Sequence, residues 1–545
     1  MTNLRSYLAA GILPLVLMAG ACGSSGGSRV QGETDPRAAI SVNNTEPTAP
    51  LIPSSTNDTA GWKVVTQLFD GLVTFDAKGR QTLVQAKSIT PNQDATQYTI
   101  VLRPGLRFSN GEMIKAKTYA DSWSFAANAA NGQLGASAFS TIEGYDRIQD
   151  EHGDPKATLS GLEVVDDLTL KVAMARPDSS FPYKVGDVAF LPLPASAYKD
   201  IKAFGNHPVG NGPYRFKSWV PNQGIELERD PSYKGPRKAR NGSLEFRDYQ
   251  SLDAAYADAQ AGRLDVLDTV PVSRLKTFRQ ESALQPLVKP GPAFRSLTVP
   301  QALPHFQGRE GALRRQALSR AIDRKGIADK VFAGSVVPAS DFLAPTITGH
   351  AGDITGHEVV DYDPDRAREL WKDADAISPW EGTLRIAYSA DGTDKDWVDA
   401  VLHGYSKVLG IKADANIFPT GKEFNTAVHN RQVNSFFNSG LTSDYPHPEG
   451  YLVQGYASSQ ADGKGLNNGD YKSGEYDAIL ARAATKVDLD KSMEDYRQAQ
   501  TVLFKDLPAL PLWYRKVSAV AGKQVRDVPF GYMGLPVYNR ITKQV

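Results

Sequence analysis

The chain has 545 residues, room for three to four units of about 150 residues each. Lys plus Arg (61) equals Asp plus Glu (61), which excludes the excess positive charge of a general nucleic-acid binder. Ordinary hydrophobic (41%) and charged (22%) contents exclude bulk disorder, and a single cysteine, Cys22, excludes an intramolecular disulfide and any cysteine-based zinc or iron–sulfur site.

The chain opens like a secretory address. Arg5 precedes an apolar run over 8–18 and then Ala19, Gly20, Ala21 and Cys22. The run is short of the roughly 20 apolar residues that span a bilayer, and no other run of that kind follows. Ala-Gly-Ala-Cys resembles a bacterial lipobox, with Ala19 where Leu is usual. A signal peptide over 1–21, lipidation at Cys22 and a flexible tether over 22–35, beginning with the Gly/Ser-rich segment after Cys22, are therefore expected. The alternative is a plain signal peptide with an incidental cysteine.

Beyond the tether, strand-like and helix-like stretches alternate. Residues 98–102 read as a strand before the Pro104-Gly105 turn, and 116–130 as a helix with Trp123 on the face of Tyr119 and Ala127. Residues 168–173 alternate like a half-buried strand, and 212–219 and 225–229 read as neighbouring strands. A helix over 252–261 stops at Gly262. The pattern over 312–332 predicts one long helix ending at Gly334. Residues 384–388 read as a strand, and 397–409 as a helix ending at Gly410. This order of elements predicts a mixed α/β architecture in more than one lobe.

Asp361, Asp363 and Asp365 imitate a calcium loop, but Arg366 and Lys372 occupy the positions where an EF-hand needs Gly and Glu. A helix start fits better, with Asp363 as cap and Pro364 at the first helical position. Of catalytic signatures, the one Gly-x-Ser-x-Gly, at 23–27, lies in the tether without the strand and helix that a nucleophile elbow needs. His350 and His357 read as loop histidines, and the basic stretch 234–240 as a solvated turn. No catalytic residue, metal site or cofactor is predicted.

Several segments, in order, carry a resemblance: 68–73 (LFDGLV), 98–123 with its Phe-Ser-Asn-Gly loop, 210–219 (GNGPYRFKSW), 318–334, 362–371 (YDPDRARELW), 443–452 (SDYPHPEGYL), 471–477 and 507–514 (LPALPLWY). Together they resemble the family 5 extracytoplasmic solute-binding proteins of bacterial ABC importers, the oligopeptide- and dipeptide-binding type. The resemblance implies a three-lobed Venus-flytrap with two hinge strands. Lobe I is expected over 36–75, 190–285 and 515–545, lobe II over 76–189 and lobe III over 286–514. It implies a non-enzymatic, extracytoplasmic receptor, monomeric and held to the membrane through its lipid anchor alone. That receptor hands peptides to the permease and ATPase subunits of a transporter. In this family an Asp of the cleft segment holds the ligand ammonium, and Asp444 is the matching residue, followed by Tyr445. Leu441 stands where relatives often carry a Trp, so an aromatic wall is missing there. Asn57 and Asp58 lie where relatives place cleft-facing polar residues. The same fold serves other solutes, such as a metal chelate, haem, a sugar or an opine, and a peptide-sensing receptor without transport stays open as well. A secreted hydrolase finds no nucleophile–base pair in the sequence.

Overall fold

The computed structural model describes residues 33–544. Cys22, the expected signal peptide and most of the tether lie outside these residues. Among the described residues, no helix is long and apolar enough to cross a membrane.

One large sheet runs through the molecule. Its lobe III edge is built from Lys412–Phe418, Thr383–Ser389 and Phe436–Leu441, and its lobe I edge from Val266–Leu267, Ala39–Asn44, Ser243–Asp248, Gly224–Arg229 and Tyr214–Val220. Between them lie two long antiparallel strands, Leu284–Thr298 and Ala509–Gly522, each belonging to both edges. These are the hinge strands. Three prolines, Pro286, Pro290 and Pro292, remove backbone donors from the first of them. The ladder breaks between the pairs Pro290–Lys516 and Phe294–Tyr514, so the pairing of the two strands is interrupted there.

A separate four-stranded antiparallel sheet, in the order Ala86–Pro91, Gln97–Leu102, Thr169–Ala173 and Leu162–Val164, forms the insertion of lobe II. The insertion does not close a core of its own. Ile40 and Val42 of lobe I and Trp123, Phe139 and Phe181 of the insertion belong to one continuous buried cluster. Lobe III has another, around Phe294, Leu318, Trp371, Trp397 and Trp513. The three expected lobes thus pack as two halves, lobes I and II around one core and lobe III around another.

Three helix ends are set by the residues that the sequence points to. Asp363 accepts from the Arg366 amide at 2.9 Å and Pro364 opens the helix Pro364–Asp375. Gly262 and Gly410 take φ of +72° and +70° where helices stop. The long helix expected over 312–332 is instead two, Gly308–Arg320 and Arg324–Lys330. Asp323 caps the second, accepting from the Gly326 amide at 2.8 Å. The buried Arg324 guanidinium turns inward and donates to the carbonyls of Ser319, Val360 and Pro511 at 2.7–2.8 Å, which satisfies the carbonyl freed at the break. The basic stretch is likewise no solvated turn at Arg237. Its side chain bonds Asp70 at 2.6 Å and the carbonyls of Thr66 and Phe69 at 2.8 and 2.7 Å.

Candidate functional site

In open α/β sheets a ligand sits outside the carboxyl ends of the strands, where loops diverge. On lobe III, the strand Phe436–Leu441 ends there and leads into the loop that carries Asp444. The loop is held from several sides. The Ser443 hydroxyl donates to the Tyr445 carbonyl at 2.7 Å, the Tyr445 hydroxyl bonds Glu449, and the Glu449 amide donates to His447 Nδ1 at 3.2 Å. From lobe I, the Tyr532 hydroxyl donates to the Asp444 carbonyl. All of these bonds fix the backbone. The Asp444 carboxylate itself has no hydrogen bond or ion pair with any described residue. It is exposed to water, and the desolvation by the protein beside it raises its carboxyl above the usual range.

Asp187 lies near it, from the end of lobe II, and the sequence reading missed it. It caps the short turn Val188–Phe190, accepting from the Ala189 amide at 2.7 Å. That turn packs beside Gly135 and Ser54, and Ser54 and Ser55 both donate to Gln133 at 2.8 and 3.1 Å. Burial, and then the charge of Asp444, push the Asp187 carboxyl up to about 7. Two carboxylates therefore face one gap between the halves, with no cation of the described residues paired to Asp444. Such a pair holds a proton, or accepts a cation, more readily than either acid alone.

Beside this gap the halves touch directly. Lys184, from lobe II, lies 2.8 Å from Asp178 and 3.4 Å from Glu449 of lobe III, with all three side chains at most 13% exposed. The Ser179 amide and hydroxyl donate to the carbonyls of Ala484 and Ala483, each at 2.9 Å. The His447 ring lies 5.0 Å from Tyr183 and 5.3 Å from Tyr496. Burial, with Lys184 nearby, holds its pKa down at about 3, so the ring is neutral. Gly79, at φ +74°, lets the ribbon Val73–Phe75/Gln81–Leu83 approach lobe III; a Cβ there would stand 2.7 Å from Pro446. Behind Tyr532 and Phe75 a cavity of about 140 Å³ opens on the lobe I side, walled largely by apolar groups including Val188 and Met533.

The other expected residues have contacts of their own. Asp58 caps the helix Thr59–Leu68: one oxygen accepts from the Gly61 amide at 2.9 Å, the other from the Thr48 hydroxyl at 2.7 Å. Asn57 is exposed beside it. Neither shares a hydrogen bond or ion pair with Asp444. Leu441 is half-buried, pairs across the ladder with Phe294 and packs over Gly455. His350 bonds the Leu343 carbonyl and lies 3.2 Å from Asp341, while His357 bonds the Ile354 carbonyl. No group of metal-ligating side chains occurs among the described residues.

The chain matches the family described as bacterial extracellular solute-binding proteins, family 5 Middle, over residues 83–463. It is 23% identical over 536 residues to the oligopeptide-binding protein OppA of Bacillus subtilis, covering 95% of each chain. It is 23% identical over 479 residues to the glutathione-binding protein GsiB of Escherichia coli, covering 87% of this chain and 88% of that one. Its fold superimposes on an unliganded open form of the periplasmic murein tripeptide binding protein MppA with a TM-score of 0.82 at 20% identity, over 94% of this chain and 99% of that one.

Proposed function

The chain belongs to the family 5 bacterial extracellular solute-binding proteins, and from that premise we propose that it captures peptides between its two halves and delivers them to the permease of an ABC importer, anchored outside the membrane by a lipid on Cys22. The observation that carries this reading is the Asp444 carboxylate, unpartnered at the carboxyl edge of lobe III and opposed by Asp187. Removing an ammonium from water needs a carboxylate partner, and two carboxylates that repel each other in the free protein gain most from a cation placed between them. The adjoining cavity of about 140 Å³ has the size that holds one benzene-sized group, so it takes an apolar side chain of the ligand. Relatives are named for an oligopeptide, for glutathione and for a murein tripeptide.

The test is a cycle of two changes. Asp444→Asn keeps shape and removes charge; N-acetylation of the peptide removes the cation. Losing one partner of a buried charge pair costs about 2–5 kcal/mol, a loss of affinity of about 30-fold or more. The two changes together should lose less than their sum, since they delete one interaction. Calorimetric titration of both proteins with both peptides closes the cycle. An acetylated peptide that binds wild type as well as the free one overturns the reading.

A further inference from the structure

The two ends of the described chain meet on one face of lobe I. Thr34 bridges Gln544, the Asp35 amide donates to the Lys543 carbonyl at 3.0 Å, and Val525–Arg526 pairs with Thr542–Lys543. The basic stretch joins them: the Gly242 amide donates to the Ala38 carbonyl at 2.9 Å, and the Arg240 amide to the Asn539 carbonyl at 2.8 Å. Four segments far apart in sequence, 34–38, 238–242, 523–527 and 540–544, thus form one surface. It lies at the amino ends of the parallel strands Ala39–Asn44 and Ser243–Asp248.

That surface is one-sided in charge. Its four segments hold seven Lys and Arg against two acids, Asp35 and Asp527, in a chain whose charges otherwise balance. Two of the seven are turned inward: Lys543 lies 2.8 Å from the buried Asp265, and Arg526 donates to Gln544. The other five, Arg37, Lys238, Arg240, Lys523 and Arg540, are exposed. Arg37 and Arg240 stand 3.5 Å from Asp35 and Asp527, with the two arginines 86% and 54% exposed, and such loose surface pairs neutralise little. The side chains of Lys238, Lys523 and Arg540 make no hydrogen bond or ion pair with any described residue. A cluster of exposed cations on a firmly hydrogen-bonded backbone presents a standing positive field to whatever lies nearby.

The route of the chain says what lies nearby. Eleven residues separate Cys22 from Glu33, where the described chain begins, and eleven residues reach at most about 40 Å. With a lipid on Cys22, the basic surface is the part of the protein tied closest to the bilayer. A single lipid anchor binds firmly only with a second signal, and basic residues beside anionic lipid supply one, at roughly fivefold in partition for each Lys or Arg that reaches the headgroups. We infer that this face of lobe I rests on the anionic phospholipid headgroups of the membrane that holds the anchor. The inference rests on the proposed lipid on Cys22 and holds whichever solute is bound. It absorbs the basic stretch that the sequence shows, and it sets the resting orientation: the amino ends of the lobe I strands face the bilayer, and the loops that follow Asn44 and Asp248 face away from it.

The probe is the lipid-anchored wild type in two kinds of vesicle, phosphatidylcholine alone and phosphatidylcholine with about one third phosphatidylglycerol. Amine acylation read by mass spectrometry reports the exposure of Lys238 and Lys523, with Lys325 of lobe III, 83% exposed, as the control. On anionic vesicles Lys238 and Lys523 should react at least threefold more slowly than on neutral ones, with Lys325 unchanged. The difference should vanish in 1 M salt, where screening acts within about 3 Å. In a second arm, the Cys22→Ala chain recovered from the soluble fraction should sediment with anionic and not with neutral vesicles at low salt. Lys238→Glu, Arg240→Glu, Lys523→Glu and Arg540→Glu together should weaken that at least tenfold. These side chains hold no part of the core, so the variant should melt with its parent; if it fails to fold, the acylation and salt measurements on wild type still decide. Equal acylation on both kinds of vesicle overturns the inference and leaves the face to an acidic protein. Slowing on neutral vesicles as well, or slowing that survives 1 M salt, also overturns it, since charge would not be the cause. Wild type that does not stay with neutral vesicles at all removes the proposed anchor, and this inference with it, while leaving peptide capture standing.

Discussion

Replacing Lys184 by Met tests the contact that joins the two halves beside the ligand gap. The ammonium bridges Asp178 at 2.8 Å and Glu449 at 3.4 Å in an environment at most 13% exposed. Removing one partner of a buried ion pair costs about 3–5 kcal/mol, because the remaining charge is stranded. Asp178 keeps the Ser180 hydroxyl and amide, so the lower end applies, about 3 kcal/mol, or more than a hundredfold in the folding equilibrium. The loss depends on pH in a defined direction. Burial alone would raise the Asp178 carboxyl, but Lys184 and Ser180 outweigh it and hold the carboxyl below its usual range. In wild type that pairing contributes stability above the unfolded carboxyl pKa and loses it as pH falls through the lower folded value. Without Lys184 the buried carboxyl titrates upward, so the deficit of the variant is largest near pH 7 and narrows as pH falls toward 4. Urea unfolding at pH 7 and pH 5 reads it. The double variant Lys184→Met/Asp178→Asn should recover part of the loss, since removing both members of a buried pair is far milder than removing one. A single variant within about 0.5 kcal/mol of wild type at pH 7, the range of ordinary surface changes, would refute the assignment of this contact as a buried interlobe pair.

Other outcomes follow from the same geometry. Because the Asp187 carboxyl is raised to about 7, the free protein holds a proton that a ligand ammonium displaces. Peptide affinity should therefore rise by up to about tenfold per pH unit between pH 5 and 7, level off once Asp187 is ionised, and fall above about pH 8 as the peptide's own amino group, with a pKa of about 7.7–8.0, deprotonates. Calorimetry at pH 6 in two buffers of different ionisation enthalpy should detect the released proton, and Asp187→Asn should abolish it. Asp58→Ala should lower stability by about 1 kcal/mol, the value of a helix cap, with ligand affinity unchanged in the same calorimetric assay; a loss of affinity instead would return Asp58 to the ligand site. Cys22→Ala should move the protein from the membrane fraction to the soluble extracytoplasmic fraction, and a wild type already soluble with another N-terminus would contradict lipid anchoring.

Local chemistry was readable wherever a single residue decides it. Asp363-Pro364 starts a helix, and Gly262 and Gly410 stop helices, by rules that need no neighbours. The helix break at Ala321–Asp323 was not readable, since apolar spacing runs through it. What interrupts the helix is Arg324 reaching carbonyls that only the folded lobe brings near. Arg237 was misread for the same reason, its partner Asp70 lying far away in the chain. Asp444 was visible through the resemblance of its segment, but Asp187 sits in a loop with no pattern, and its meaning arises only when lobe III faces it. Nothing in the local sequence marks Lys184, whose partner Glu449 is supplied by lobe III.

The route of the chain through the hinge also orders its assembly. Lobe III is enclosed between the two hinge strands, and its ends meet where the Val299 amide donates to the Pro508 carbonyl at 2.9 Å. It is thus an insertion whose termini already coincide, complete before the last segment of lobe I has been made. Lobe I waits for that segment: Val266 and Leu267 pair with Ala521 and Val520, and the Asn241 amide donates to the carbonyls of Tyr538 and Ile541. A chain made from its N-terminus can pair Ala39–Asn44 with Ser243–Asp248 and with Val266 early, yet leaves the outer flank of Val266–Leu267 bare until Val520 and Ala521 arrive. The half that is first in sequence is the half that finishes last, so a truncation near the C-terminus strikes at lobe I rather than at the lobe next to it in the chain.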